Sequence, residues 1–119
     1  YEELWKYALD RAKNGACDML VMDEFMAADR YGLIPHKEAI QFLKEKPEGL
    51  EVVLTGRDPS EDLIRIADYV SEIRKVKHPI AAFMPAEELN IKYYFVCMDA
   101  ALCDRRSRCF YINSDSKQI

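Results

Sequence analysis

Leu4, Trp5, Ala8, Leu9 and Ala12 recur at the three- and four-residue spacing that lines one face of a helix, with Glu2, Glu3, Lys6, Asp10, Arg11 and Lys13 on the other positions. The pattern predicts an amphipathic helix closed by Asn14-Gly15. Met19-Leu20-Val21-Met22 breaks that period. A short apolar run without alternation predicts a strand buried on both faces, and it stops at Asp23-Glu24. A second helix is expected after Pro35, with Ala39, Ile40 and Leu43 turned inward. Lys44-Glu45-Lys46-Pro47-Glu48-Gly49 should end it, because Pro cannot continue a helix and Gly supplies the turn. Leu50 to Leu54 predicts another buried strand, stopped by Thr55-Gly56-Arg57. Asp58-Pro59-Ser60-Glu61 predicts a helix start, with Asp58 as the cap, Pro59 in the first helical position and Glu61 completing a capping box. Leu63, Ile64 and Ala67 would form that helix's core face. Tyr69 to Val76 predicts a third strand, and its charged positions suit a sheet edge.

Helices thus alternate with strands over about the first eighty residues. That order implies an α/β fold, with a parallel sheet, helices on both faces and right-handed crossovers. In such sheets ligands bind beyond the carboxyl ends of the strands. Asp23-Glu24 and Thr55-Gly56-Arg57 both stand at such ends, so topology predicts that these two motifs are neighbours. From Ala81 onward the character changes. Lys92 to Met98 is one more strand candidate, Asp104-Arg105-Arg106-Ser107-Arg108 is a small basic run, and Asn113 to Gln118 is a polar tail. There is no internal repeat and no low-complexity tract.

Composition narrows the function classes. The 119 residues are room for one domain, and 50% hydrophobic with 32% charged residues is globular composition. A net charge of −4 argues against a broadly basic nucleic-acid surface. No apolar run approaches the ~20 residues that span a bilayer, and no secretory leader is visible, so a cytoplasmic protein without membrane or nucleic-acid partners is expected. Cys17, Cys97, Cys103 and Cys109 come without a CxxC pair or a Cys/His cluster, which favours reduced thiols over zinc or disulfides. The chain opens with Tyr1 inside a helical pattern, and a piece of a longer protein is expected.

An apolar strand ending in Asp-Glu is the Walker B arrangement. Mg²⁺ accompanying a nucleoside triphosphate is a hard cation that keeps several waters, and one or two carboxylates at a strand tip hold it. Read without function, Asp23 and Glu24 simply begin a loop. In Thr55-Gly56-Arg57 the glycine allows close backbone approach to a ligand, the guanidinium suits phosphate or carboxylate, and the threonine adds a hydroxyl. The plain alternative is a strand-to-helix turn with a surface arginine. Lys77-His78-Pro79 closes the third strand candidate, and either charged side chain could face an anion there. His36 sits in an expected loop and receives no role. Tyr93, Tyr94 and Phe95 are adjacent rather than spaced for base stacking and read as core.

Together, Leu20-Val21-Met22-Asp23-Glu24-Phe25, Val52-Val53-Leu54-Thr55-Gly56-Arg57, Ile66-Ala67-Asp68-Tyr69-Val70-Ser71-Glu72-Ile73 and Val76-Lys77-His78-Pro79 resemble the P-loop family of corrinoid adenosyltransferases. Tyr31-Gly32-Leu33 and Pro47 fall in place between them. The resemblance covers roughly residues 4 to 80. It implies a partial P-loop NTPase (RecA-like) fold, with residues 1–80 as the C-terminal part of the domain and 81–119 as a divergent tail. It also implies transfer of the 5′-deoxyadenosyl group of ATP to the Co(I) of a corrinoid, with triphosphate leaving. By the family's pattern Glu24, with Asp23 beside it, would serve Mg²⁺, and Thr55, Gly56 and Arg57 would lie near the nucleotide or corrinoid. ATP and a reduced corrinoid would be the partners, a homodimer the assembly, and a flavoprotein a candidate reductant. The family's glycine-rich phosphate loop is not among these residues: no GxxxxGK followed by Ser or Thr occurs in the chain. Weak or absent ATP binding by this polypeptide alone is therefore expected. Two alternatives stay open: another P-loop ATPase in which Glu24 orients water, or a noncatalytic remnant of the domain.

Overall fold

The computed structural model describes residues 2–73 together with the strands at 93–98 and 109–112. Helix α1 (Glu2–Lys13) buries Trp5, Ala8, Leu9 and Ala12, the stripe its spacing marks. The Ala16 N–H reaches back to the Arg11 carbonyl at 3.2 Å and closes the last turn. Strand β1 (Met19–Met22) follows. Its Leu20 and Met22 are buried, but Met19 and Val21 are only half-buried, so one face is deeper than the unbroken apolar run suggests.

Helix α2 (Phe25–Arg30) has no counterpart in the periodicity reading, because six residues give less than two turns of pattern. It ends in a Schellman motif on Tyr31-Gly32-Leu33. The Leu33 N–H bonds the Ala28 carbonyl at 2.9 Å, the Gly32 N–H bonds the Asp29 carbonyl at 3.2 Å, and Gly32 takes the left-handed φ of 71° that this stop needs. Helix α3 (His36–Glu45) buries Ala39, Phe42 and Leu43. It stops at Lys46, whose ψ of 150° is the extended state imposed on a residue before proline. The Trp5 ring ties the first three helices together, 6.4 Å from Phe25 and edge-on to Phe42 at 6.0 Å.

Strand β2 (Glu51–Gly56) pairs in parallel with β1, Met22 lying opposite Leu54. Helix α4 (Glu61–Ile66) is capped by Ser60, whose Oγ accepts from the Leu63 N–H at 3.3 Å. Asp58 is therefore not the cap. It sits two residues earlier at φ 51°, turning the chain into the helix. Leu63 is fully buried, whereas Ile64, expected inside, is exposed. Strand β3 (Tyr69–Ile73) is exposed along its whole length.

Strands β4 (Tyr93–Met98) and β5 (Cys109–Ile112) complete a sheet of order β3-β4-β2-β1-β5. β5 runs parallel to β1, while β4 is antiparallel to both β2 and β3. The expected all-parallel sheet is thus corrected to a mixed one. Helical crossovers fix strand direction only for β1, β2 and β3, and the helical pattern stops after α4. Tyr93–Met98 is a strand, inside the expected segment 92–98, and the strand Cys109–Ile112 was not expected. Lys77-His78-Pro79 and the last residues of the third strand candidate lie outside the described residues. Among the described residues, no helix is long and apolar enough to cross a membrane.

Two substitutions separate the cap assignments. Ser60→Ala should cost about 1 kcal/mol in a urea melt, the usual loss of an N-cap. Asp58→Asn keeps a side chain that tolerates the left-handed state, so its midpoint should stay within about 0.5 kcal/mol of the parent.

Candidate functional site

The parallel register that sets Met22 beside Leu54 places the next residues, Asp23 and Thr55, side by side at the carboxyl edge of the sheet. The Thr55 hydroxyl donates to Asp23 Oδ1 at 2.5 Å and accepts from the Glu24 N–H at 3.1 Å. Thr55 is buried, and Asp23 and Glu24 are half-buried. Glu24 holds φ 55° and ψ 29°, a left-handed state that costs a non-glycine residue energy and accumulates at functional sites. Asp58, just past the second tip, is in the same region of backbone space. The two motifs therefore meet, as their places at strand ends predict.

Gly56 and Arg57 complete the second tip. A Cβ on Gly56 would stand 3.0 Å from both Cβ and Sδ of Met26, and its φ is 146°. The close approach at this glycine is thus to α2. Arg57 is exposed, and its carbonyl accepts from Arg30 Nη2 at 3.4 Å. Arg30 also pairs with Asp58 at 3.4 Å. The end of α2 in this way grips the loop leaving β2.

His36, given no role from sequence, makes the second tie. Its Nδ1 lies 2.7 Å from Asp29 of α2 and its Nε2 lies 3.0 Å from Asp62 of α4. A neutral imidazole carries one N–H; only the imidazolium donates to both carboxylates. The bond to Asp62, then that to Asp29, raises the His36 pKa above its ordinary 6.5 against the opposing effect of burial. The same bond holds the Asp62 carboxyl below its ordinary range, with Arg65 and Lys44 adding to it. The signal missed in the sequence is the set Asp29, His36 and Asp62, each at a helix end or in a first turn, which only the fold brings together.

Chemically, the tips gather two carboxylates and a hydroxyl, a set of hard oxygen donors. Among the described residues, no three His, Cys, Asp or Glu side chains cluster as a metal cage. A concavity of about 290 Å³ between α1 and α3, lined by Leu9, Lys13, Phe42 and Glu45 among others, includes none of the tip residues. Neither Cys17 nor Cys97 is in a disulfide.

The chain matches, over residues 1–89, the family model described as ATP:corrinoid adenosyltransferase BtuR/CobO/CobP. It is 40% identical over 88 residues to a corrinoid adenosyltransferase of a Sinorhizobium species, covering 73% of this chain and 41% of that protein. It is 35% identical over 91 residues to the corrinoid adenosyltransferase of Escherichia coli K12, covering 76% and 46%. An uncharacterized protein of Nostoc is 35% identical over 77 residues, covering 65% and 20%. The chain spans less than half the length of these curated relatives. No solved structure matches it.

Three substitutions probe the site without a ligand. Thr55→Val removes a hydroxyl with two partners and should cost about 1–3 kcal/mol, most of which Thr55→Ser restores. Gly56→Ala should cost about 2 kcal/mol through the clash with Met26. For His36, the stabilisation is fully present below pH 6.5 and is lost as pH rises through the raised folded-state value. Asp62 contributes above its ordinary 3.8, a contribution lost as pH falls through its lowered value. The melting-temperature gap between the parent and His36→Gln should accordingly be widest from about pH 4 to 6.5 and shrink as pH rises through the raised His36 value. A gap that does not change with pH would remove the imidazolium from the account.

Proposed function

The chain belongs to the ATP:corrinoid adenosyltransferase family, and from that premise we propose that it supplies the Asp23–Thr55 edge of a site where the 5′-deoxyadenosyl group passes from ATP to the Co(I) of a reduced corrinoid. The observation that carries this reading is the 2.5 Å bond from Thr55 to Asp23, which joins the two tips in a chain of this family. In the proposed reaction Co(I) attacks the ribose 5′ carbon. A cobalt–carbon bond forms, the carbon–oxygen bond to the phosphates breaks, and its electron pair leaves with inorganic triphosphate. The protein's task is then to position the reactants and to neutralise the leaving group.

The donor set fits Mg²⁺. That ion needs few protein ligands and takes the rest from phosphate and water. Glu24, with Asp23 beside it, would hold it, and it would supply positive charge to the triphosphate. Thr55 fixes the Asp23 carboxylate and the turn at Glu24 through its two hydrogen bonds. Arg57 has the fork of donors suited to a phosphate or a corrinoid carboxylate, and Gly56 before it lets β2 pack closely on Met26 of α2. The reading brings with it ATP and reduced corrinoid as substrates, a homodimer, a flavoprotein as electron source and a cytoplasmic location.

The test is cobalt alkylation by the complete protein, with ATP, Mg²⁺ and cob(I)alamin under reducing conditions. The expected products are adenosylcobalamin and triphosphate; ADP would instead mean hydrolysis. Asp23→Asn should lower the MgATP-dependent rate by about 10–100-fold. The 119-residue chain by itself should show no rise in melting temperature with MgATP, because it has no GxxxxGK cradle for the phosphates.

A further inference from the structure

Two ties join α2 to the segment that leaves β2. The first is Arg30, which reaches the Arg57 carbonyl and Asp58, both at 3.4 Å. These contacts are long and exposed, and a guanidinium does not titrate. The second runs through His36 at the start of α3. Its Nδ1 lies 2.7 Å from Asp29 of α2 and its Nε2 lies 3.0 Å from Asp62 of α4. This tie is the shorter one, and it contains a proton that can leave. From Asp62 the path back to Arg57 is short and stiff. Ser60 caps α4, Pro59 has a fixed φ, and Asp58 sits at φ 51°. A displacement of the first turn of α4 is therefore passed on to Arg57.

The two carboxylates differ in how well they tolerate losing His36. The Asp29 side chain is 7% exposed, and that of Asp62 is 50% exposed. A buried carboxylate that loses a donor pays its desolvation without compensation. Asp62 can turn to water, and its other oxygen already stands 3.7 Å from Arg65 on the same helix. A neutral imidazole has one N–H to give. The difference in burial decides where it goes: the proton stays on Nδ1 with Asp29, and Nε2 turns a lone pair toward Asp62. Two acceptors 3.0 Å apart repel, so the α4 arm opens. The surrounding charges set when this happens. Asp62 of α4 and then Asp29 of α2 favour the imidazolium, while the His36 bond, then Arg65 of α4 and Lys44 of α3, favour the Asp62 carboxylate. The arm therefore opens above the 6.5 of an ordinary histidine.

We propose that His36 is a positioning residue for the arginine tip: the imidazolium clasps α4 to α2 and fixes the segment carrying Arg57, and the neutral ring keeps Asp29 and releases Asp62. One of the two tips of the site is thus held in a proton-dependent way, although no titrating group of the clasp belongs to either tip. The proposal rests on the adenosyltransferase reading only for what Arg57 would face. Its test uses neither ATP nor corrinoid, so the two can fail separately.

The experiment is an NMR titration of the full 119-residue chain through the His36 midpoint, which should lie above pH 6.5. At the high-pH end the ring nitrogen resonances should show the proton on Nδ1 and none on Nε2. The backbone amides of Arg57 and Asp58 should shift with the same midpoint as the ring, and the shift should vanish in His36→Gln. Two substitutions at the exposed arm then separate positioning from the mere nearness of a charge. Asp62→Asn carries both an acceptor and a donor, so it can accept from the imidazolium and donate to the bare Nε2 of the neutral ring. It should keep the Arg57 and Asp58 amides at their low-pH positions throughout. Asp62→Ala bonds neither form and should keep them at their high-pH positions. Three results would overturn the proposal: a neutral ring protonated on Nε2; Arg57 and Asp58 amides that stay still at the His36 midpoint; or Asp62 variants in which those amides titrate as in the parent.

Discussion

The hydroxyl of Thr55 joins the two halves of the candidate site. It donates to the first carboxylate of one strand tip and accepts from the backbone of the next residue, so it fixes both a side chain and a turn. This rests on one constraint, the register of β1 against β2. A shift of one residue would turn Thr55 to the opposite face of the sheet and leave Asp23 without this donor. Leu20, Val52 and Leu54, which have no exposure at all, hold that register, because a slip would bring their side chains toward the outer face.

The segments leaving the tips are fastened to each other. α2 begins directly after Asp23-Glu24, and its last two residues reach across to the β2 side, Arg30 to the Arg57 carbonyl and Asp58, and Asp29 to His36. His36 passes the connection on to α4 through Asp62. These are exposed or partly exposed charge pairs, each weak by itself. Their value lies in geometry. Both loops bordering the site are tied to one short helix, so a movement of α2 would shift the acidic tip and the arginine tip together.

Much of this was legible in the sequence, and the failures share a cause. The stripe of α1, the run 19–22 and the proline-terminated α3 are long or sharply bounded patterns, and each element appears where it was expected. The meeting of Asp23 with Thr55 followed from strand ends and parallel topology alone. α2 was missed because six residues carry too little period, although Tyr31-Gly32-Leu33 marked its stop. Asp58 and Ser60 both suit an N-cap by residue type, and choosing between them needs the backbone angle that places Asp58 in the turn. The His36 bridge was beyond reach, because its partners come from two other helices. The direction of β4 was equally beyond reach, since strand pairing is a tertiary property and the sequence before it shows no crossover helix.

The mixed sheet has a consequence for how such a site is assembled. An active edge in an α/β sheet is made by loops that leave the carboxyl ends of parallel strands. β1 and β2 contribute two such loops here, one carrying carboxylates and the other a hydroxyl and a guanidinium. Those groups suit a cation and the outer oxygens of a polyphosphate. They do not form the ring of backbone N–H groups that wraps one. The strand on the far side of β2, β4, runs the opposite way and brings its amino end to this edge. Among the described residues, what this edge can offer a ligand is thus set by the register of β1 against β2, which decides which side chains the two loops bring together.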